Sequence, residues 1–156
     1  MSDRHVIIGA GPVGRAVAQA LREREAEVVL ASRSGRDGTT AVDAGDPEAL
    51  SRLADGAVAL YNCVNPPTYT TWSRDWPPVA AALLAAAERT GAVLVTAGNL
   101  YPYGPVPGGV MREGMPDAAP GKKAKIRAAM TREAFAKHEA GRIRAVEVRG
   151  SDYMGA

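Results

Sequence analysis

The chain has 156 residues, 46% of them hydrophobic and 23% charged, with a net charge of +2. That length fits one domain with a sizeable core, and basic residues scattered among acidic ones argue against a nucleic-acid partner. A lone cysteine, Cys63, excludes an internal disulfide and a cysteine-based zinc cluster.

His5 to Ile8 is a short β-branched run that ends in glycine, so it reads as a buried strand. A helix is predicted from Pro12 to about Arg24, with Val13, Val17 and Leu21 on one face. Glu27 to Ala31 is the second strand, Ser34 to Thr39 a Gly/Ser-rich turn, and Thr40 to Val42 a weak third strand. Asp46-Pro47 reads as a helix cap with proline at the first helical position, ahead of Leu50 and Leu53. Ala57 to Asn62 is the fourth strand and runs into Asn65-Pro66-Pro67, which cannot continue a strand. Tyr69, Trp72 and Trp76 fall in the following loop, read as a cover for the core edge, or else as a helical aromatic face or a lid on the substrate side. Pro77 to Thr90 is an alanine-rich helix stopped by Gly91, and Ala92 to Thr96 is the fifth strand. Gly98 to Gly121 holds five prolines and six glycines and is too long for mere filler, so it reads as functional. Lys122 to Glu139 or Ala140 is a long helix, and Ile143 to Val148 a sixth strand.

Alternation of strands and helices predicts an α/β fold, a doubly wound parallel sheet of order 3-2-1-4-5-6. The bend between the first strand and first helix reads Gly9-Ala10-Gly11-Pro12-Val13-Gly14, the G-x-G-x-x-G spacing of a Rossmann dinucleotide-binding loop. Gly9 permits the tight turn, Gly11 removes a side chain where a pyrophosphate must approach, and Gly14 lets helix and strand pack closely. The helix start then offers backbone N–H groups and the positive end of its dipole to the anion. The competing reading is a βα turn that is merely tight.

The end of the second strand carries an acid where a ribose 2′-hydroxyl is bound. Here it reads Ala31-Ser32-Arg33-Ser34-Gly35-Arg36. Arg33 offers a planar cationic fork suited to a 2′-phosphate, and Ser32 or Ser34 a hydroxyl, so NADP is expected over NAD. Against this stand Asp37, past the expected position, and a plain solvated turn for Arg33 and Arg36. Asp43 reads either as an acceptor for the adenine amino group or as a turn aspartate. Across the strand ends the cofactor is expected to meet Gly9 to Gly14, Ser32 and Arg33, Asp43, Cys63 to Asn65, and Thr96 to Asn99.

These residues resemble the extended and atypical short-chain dehydrogenase/reductase family, the NAD-dependent epimerase/dehydratase group. The resemblance rests on the glycine loop, Val42-Asp43-Ala44-Gly45-Asp46-Pro47, Tyr103-Gly104, and the closing Arg149-Gly150-Ser151-Asp152-Tyr153-Met154-Gly155. It implies that residues 1–156 are the NAD(P)-binding Rossmann domain of a longer protein, with the substrate domain missing. It also implies a Ser/Thr after the fifth strand that bonds the substrate oxygen, then Tyr-x-x-x-Lys, the tyrosine moving the proton and the lysine holding the nicotinamide ribose. Lys125 fits the lysine, but Gly121 stands at the tyrosine position and Asn99 at the Ser/Thr position. Tyr101 and Tyr103 stand nearby and are candidate phenols, with loop packing as the alternative for both.

Gly121-Lys122-Lys123-Ala124-Lys125-Ile126-Arg127 places four cations at a helix start, where the dipole disfavours them. A cofactor phosphate or an acidic substrate would compensate; the alternative for Lys122 and Lys123 is a solvated basic face. Cys63 reads as a small buried apolar residue near the cofactor. His5 and His138 lack ligand spacing, so no metal is expected. No apolar run spans a bilayer and no signal peptide is seen, so the expectation is a cytoplasmic protein without membrane contact. The functional expectation is an NAD(P)-dependent oxidoreductase or epimerase/dehydratase working by hydride transfer on a small carbonyl/hydroxyl or nucleotide-sugar-type substrate. The alternative is a non-catalytic NADP-binding sensor or regulatory module. The resemblance also implies a homodimer through the helices at 77–90 and 122–140.

Overall fold

The computed structural model describes residues 2–151. Asp152 to Gly155 of the closing motif lie outside the described residues. The strands β1 (Arg4–Ile8), β2 (Glu27–Ser32), β3 (Thr40–Ala41), β4 (Ala59–Asn62), β5 (Val93–Asn99) and β6 (Ala145–Gly150) form one sheet of order β3-β2-β1-β4-β5-β6, as the alternation predicts. All pairs are parallel; His5 lies between Val28 and Ala59, and Leu94 beside Ala145.

Side chains alternate across the sheet, so each strand feeds two cores. On one face α2 (Pro47–Leu53), α3 (Trp72–Thr90) and α4 (Lys122–Glu139) cover Val6, Ile8, Leu60 and Leu94 with Leu50, Leu83 and Leu84. On the other face α1 (Pro12–Arg22) packs Ala18, Val17 and Leu21 on Ile7 and Leu30. Val146 and Val148 of β6 alternate with the buried Ala145, away from α4, and stay 47% and 62% exposed. Asp46 caps α2, its carboxylate accepting from Glu48 N and Ala49 N at 2.9 and 3.0 Å, as its place before Pro47 suggests.

Two boundaries differ from the sequence reading in ways that bear on the site. The helix α3 begins at Trp72, not Pro77, and carries Pro77 and Pro78 inside it. Burial decides this: Trp72 and Trp76, one turn apart, are 2% and 1% exposed and meet edge to face at 5.9 Å. An aromatic ring buries roughly 150–250 Å², ~4–6 kcal/mol at ~25 cal/mol per Å², against ~3 kcal/mol for an internal helical proline. Strand β5 continues past Thr96 to Asn99 because β6 pairs with it to the end, Ala97 with Val148 and Asn99 with Gly150.

The segment after β5 is anchored at both ends. A 3₁₀ turn at Tyr101–Tyr103 buries Pro102 and Tyr103. Ala119 N donates to Pro102 O at 3.0 Å, and the Arg149 guanidinium bonds Glu147 and Asp117 while lying 4.6 Å over the Tyr103 ring.

Candidate functional site

Of the three glycines in the bend between β1 and α1, two have no space for a side chain. Gly9 has φ +106°, and a Cβ there would collide with the Cys63 carbonyl. A Cβ on Gly14 would collide with the Gly9 carbonyl oxygen. At Gly11 a Cβ would meet nothing within 4 Å. Gly11 is also the N-cap of α1, with no side-chain cap on the first turn. Open space over an uncapped helix start is what an anionic group needs to reach the backbone.

Gly11 lies where two parts of one cleft meet, across the carboxyl ends of the strands. The β2–β3 half, ≈ 880 Å³, is bounded by Gly9, Gly11, Ser32, Arg33, Asp43 and Asn65. The β5–β6 half, ≈ 750 Å³, is bounded by Gly11, Pro12, Val13, Asn65, Asn99 and Tyr101 among others. Cys63 and Val64 line both halves.

In the β2–β3 half, Arg33 is exposed and faces the cleft from the end of β2, and no acid stands at that strand end. The Ser32 hydroxyl is engaged within the turn, 2.7 Å from Thr39 Oγ1 and accepting from Gly35 N at 3.1 Å. Asp43 lines the cleft, and its Oδ1 accepts from Gly45 N at 2.8 Å, the bond of a turn aspartate. Arg74 and Asp75, from the first turn of α3, join the same half. The Arg74 guanidinium, then Thr71, hold the Asp75 carboxyl below its ordinary range, and Arg33 adds to that.

In the β5–β6 half, Asn99 Oδ1 accepts from Tyr101 N at 3.2 Å, which turns the chain so that Tyr101 faces the cleft. The hydroxyls of Tyr101 and Tyr69 lie 3.3 Å apart. Trp72 backs them, its ring centroid 4.8 Å from Tyr69 and 6.5 Å from Tyr101. Burial pushes the Cys63 thiol up to about 11, so it is a neutral wall and no nucleophile.

Four expected positions lie elsewhere. Gly14 serves the cleft only by letting α1 sit against Gly9. Thr96 points to the helix-covered face, as Leu94 does, and lines a separate cavity of ≈ 30 Å³ with Asn62 and Glu147; Ala97 takes its place at the cleft. Tyr103 is 9% exposed beneath Arg149, a packing residue. Lys125 is exposed and lines neither half. At about 100° per residue it points some 200° away from Lys123 and Arg127. Lys123 Nζ lies 3.8 Å over the Tyr69 ring, and Arg127, 4% exposed, lines the cleft and donates to Ala97 O at 2.8 Å. Sequence spacing missed Arg127, whose signal was its place one turn after Lys123, on the face shared with the apolar Ala124 and Ala128; Tyr69 and Trp72, read as a cover for the core edge with a substrate-side lid as an alternative, line the cleft.

No protein-family model matches the sequence, and no curated protein does. The fold does match. UDP-glucose 4-epimerase from Thermus thermophilus, complexed with NAD, superposes with TM-score 0.80 at 20% identity, over 94% of this chain and 54% of that one. The chain has a Rossmann fold. The same fold is seen in dTDP-glucose 4,6-dehydratase from Bacillus anthracis in complex with NAD, at TM-score 0.81 and 14% identity, over 95% of this chain and 54% of that one. A short-chain dehydrogenase/reductase superfamily protein from Agrobacterium tumefaciens with bound NAD matches at TM-score 0.75 and 22% identity, over 94% and 48%. The chain thus spans about half the length of these structures. Among the described residues no helix is long and apolar enough to cross a membrane, and no group of three His, Cys, Asp or Glu could hold a metal.

Proposed function

We propose that this chain binds a nicotinamide dinucleotide across the strand ends and belongs to an NAD(P)-dependent oxidoreductase or epimerase/dehydratase-like protein. The observation that carries the reading is the bare Gly11 turn, uncapped at the head of α1, where both halves of the cleft meet. Gly9 to Val13 would hold the pyrophosphate, with Asp43 and Arg33 beside the adenosine and Asn65 and Asn99 beside the nicotinamide. When bound, that group accepts or returns a hydride. Tyr101 would move the hydroxyl proton, and the Asn99 amide would bond the substrate oxygen. Lys123 is better placed than Lys125 to serve this half. The substrate is a small carbonyl/hydroxyl compound or a nucleotide sugar, as in the epimerase and dehydratase of similar fold.

For the cofactor we favour NADP, because Arg33 stands where an acid would bind a 2′-hydroxyl. NAD is the second form, the one named with the solved structures of similar fold. A non-catalytic NADP-binding module is favoured by one feature: Gly121, at the resemblance's tyrosine position, is an exposed N-cap with nothing within 4 Å of a Cβ. A homodimer through α3 and α4 is part of the proposal, since the two helices lie side by side, joined by Glu88 to Lys137 at 2.9 Å; gel filtration reads it. The deciding test is fluorescence titration with NADPH and NADH. Saturable binding supports the reading, and binding of neither ends it.

A further inference from the structure

Strands β4 and β5 part at the cleft. β4 ends at Asn62, paired with Thr96, while β5 runs on to Asn99. Past Thr96, among the described residues, β5 keeps β6 on one edge and has no strand on the other. Backbone groups on such an edge must find other partners when they are buried.

The register shows which group is left. Val93 N donates to Val58 O, just before β4, and Leu94 N to Arg144 O, just before β6. Alternate residues of β5 thus face alternate neighbours, and Ala97, four on from Val93, faces the β4 side. In that register a longer β4 would send Val64 N to Ala97 O. Val64 N instead donates to Asn62 Oδ1 at 3.2 Å, and the chain leaves through Asn65-Pro66-Pro67.

Arg127 takes the acceptor that β4 gives up. From the second turn of α4 its Nη2 donates to Ala97 O at 2.8 Å. Its guanidinium carbon lies 4.7 Å from the centroid of the Trp76 ring, and the residue is 4% exposed. A planar guanidinium can do both at once, stacking by its face and donating from its edge. A buried cation is costly unless its partners are in place, which favours one fixed geometry.

Beyond that bond β5 delivers the residues of the cleft. Ala97, Gly98 and Asn99 line the β5–β6 half, opposite Val64 and Asn65, and Arg127 borders the same space. Asn99 Oδ1 then accepts from Tyr101 N and turns Tyr101 to the cleft.

We infer that Arg127 is a positioning residue: its guanidinium stands in for a strand neighbour at the projecting end of β5 and so sets where Asn99 and Tyr101 meet the ligand. The inference rests on the proposed function only in calling that ligand the nicotinamide end of a dinucleotide.

The test compares the 156-residue chain with Arg127→Met and Arg127→Lys. Circular dichroism melts show that the variants fold; Arg127→Lys keeps a cation and a donor, and carries the test if Arg127→Met does not fold. Calorimetric titration uses NADPH, NADH and ADP, the last lacking the nicotinamide end. Arg127→Met should weaken dinucleotide binding by about tenfold, the weight of one charge-assisted hydrogen bond. Arg127→Lys should weaken it less, and neither should alter ADP binding. Hydrogen exchange of the ligand-free protein should quicken at the Gly98 and Tyr101 amides in both variants and stay unchanged at Ile7 and Leu60, in the middle of the sheet. Dinucleotide affinity equal to the parent's, ADP binding weakened in step with it, or unaltered exchange at Gly98 and Tyr101 overturns the inference. If the parent binds neither dinucleotide, the cofactor reading falls while the exchange rates still decide whether Arg127 holds the strand end. Dinucleotide binding with unaltered exchange would do the opposite.

Discussion

The carbonyl oxygen of Gly9 stands where a Cβ on Gly14 would have to go, while Gly11, between them, faces open cleft. One glycine of the loop is thus a packing requirement and the other a binding requirement. Gly14→Ala should destabilise the fold by ~1–3 kcal/mol through overpacking. Gly11→Ala should change stability by less than ~0.5 kcal/mol and yet weaken dinucleotide binding at least about tenfold, ~1.4 kcal/mol. Denaturant melts and cofactor titration on the same two proteins read both effects; equal behaviour of the pair would remove the division of roles.

Under the proposed function Arg33 sets the form of the cofactor. Arg33→Ala should lower NADPH affinity by about tenfold, the weight of ~1.5 kcal/mol for a charged hydrogen bond, and leave NADH nearly unaffected. If NADH binds the parent at least as tightly as NADPH, and the substitution changes neither, the NADP assignment is wrong.

Tyr101 and Tyr69 share a hydroxyl contact but differ in role under the proposed mechanism. Tyr101→Phe should cost at least about tenfold in turnover of a carbonyl substrate, the low end of acid–base contributions. Tyr69→Phe removes only a neighbour and should cost less. An unaltered rate in Tyr101→Phe returns that ring to a packing role and favours the non-catalytic module.

Cys63 provides a pH test. Burial disfavours its thiolate and raises the folded-state value to about 11. The group therefore stabilises the fold fully below its ordinary unfolded value, and that contribution is lost as pH rises from there toward about 11. Alkylation by iodoacetamide should be slow at pH 8 and accelerate only in strongly alkaline buffer, and bound dinucleotide should slow it further because Cys63 lines both halves of the cleft. Rapid labelling at neutral pH would contradict its burial.

Trp76 is the structural keystone of α3, 1% exposed and 4.7 Å beneath the Arg127 guanidinium. Trp76→Ala should cost ~3–5 kcal/mol, as for other buried aromatic truncations. A thermal melt shifted by only a degree or two would mean that the helix start does not depend on that ring.

Local chemistry, readable from the chain alone, determined a good deal here. Gly9 and Gly14 announce their turn because a positive φ and a close backbone approach admit no larger side chain, and Gly11 by the open face it leaves at the helix start. Asp46 before Pro47 names a helix start, and the strand–helix alternation yields the sheet order, because βα units close with one handedness. Arg33, Asp43, Asn99 and Tyr101 reach the cleft because parallel strands deliver their carboxyl ends to one edge.

What the tertiary structure decided is which side each residue turns and what burial overrides. Two prolines signal a helix start, yet the burial of Trp72 and Trp76 carries α3 back five residues and brings Arg74, Asp75 and Tyr69 to the site. The family resemblance nominated Lys125, but the rotation of α4 on the sheet turns Lys123 and Arg127 inward and Lys125 out. Pairing with β6 extended β5 and set Thr96 beneath the helices while Ala97 and Asn99 reached the cleft. A residue's type and its neighbours in the chain fix what it can do; only packing against distant segments fixes the direction in which it does it.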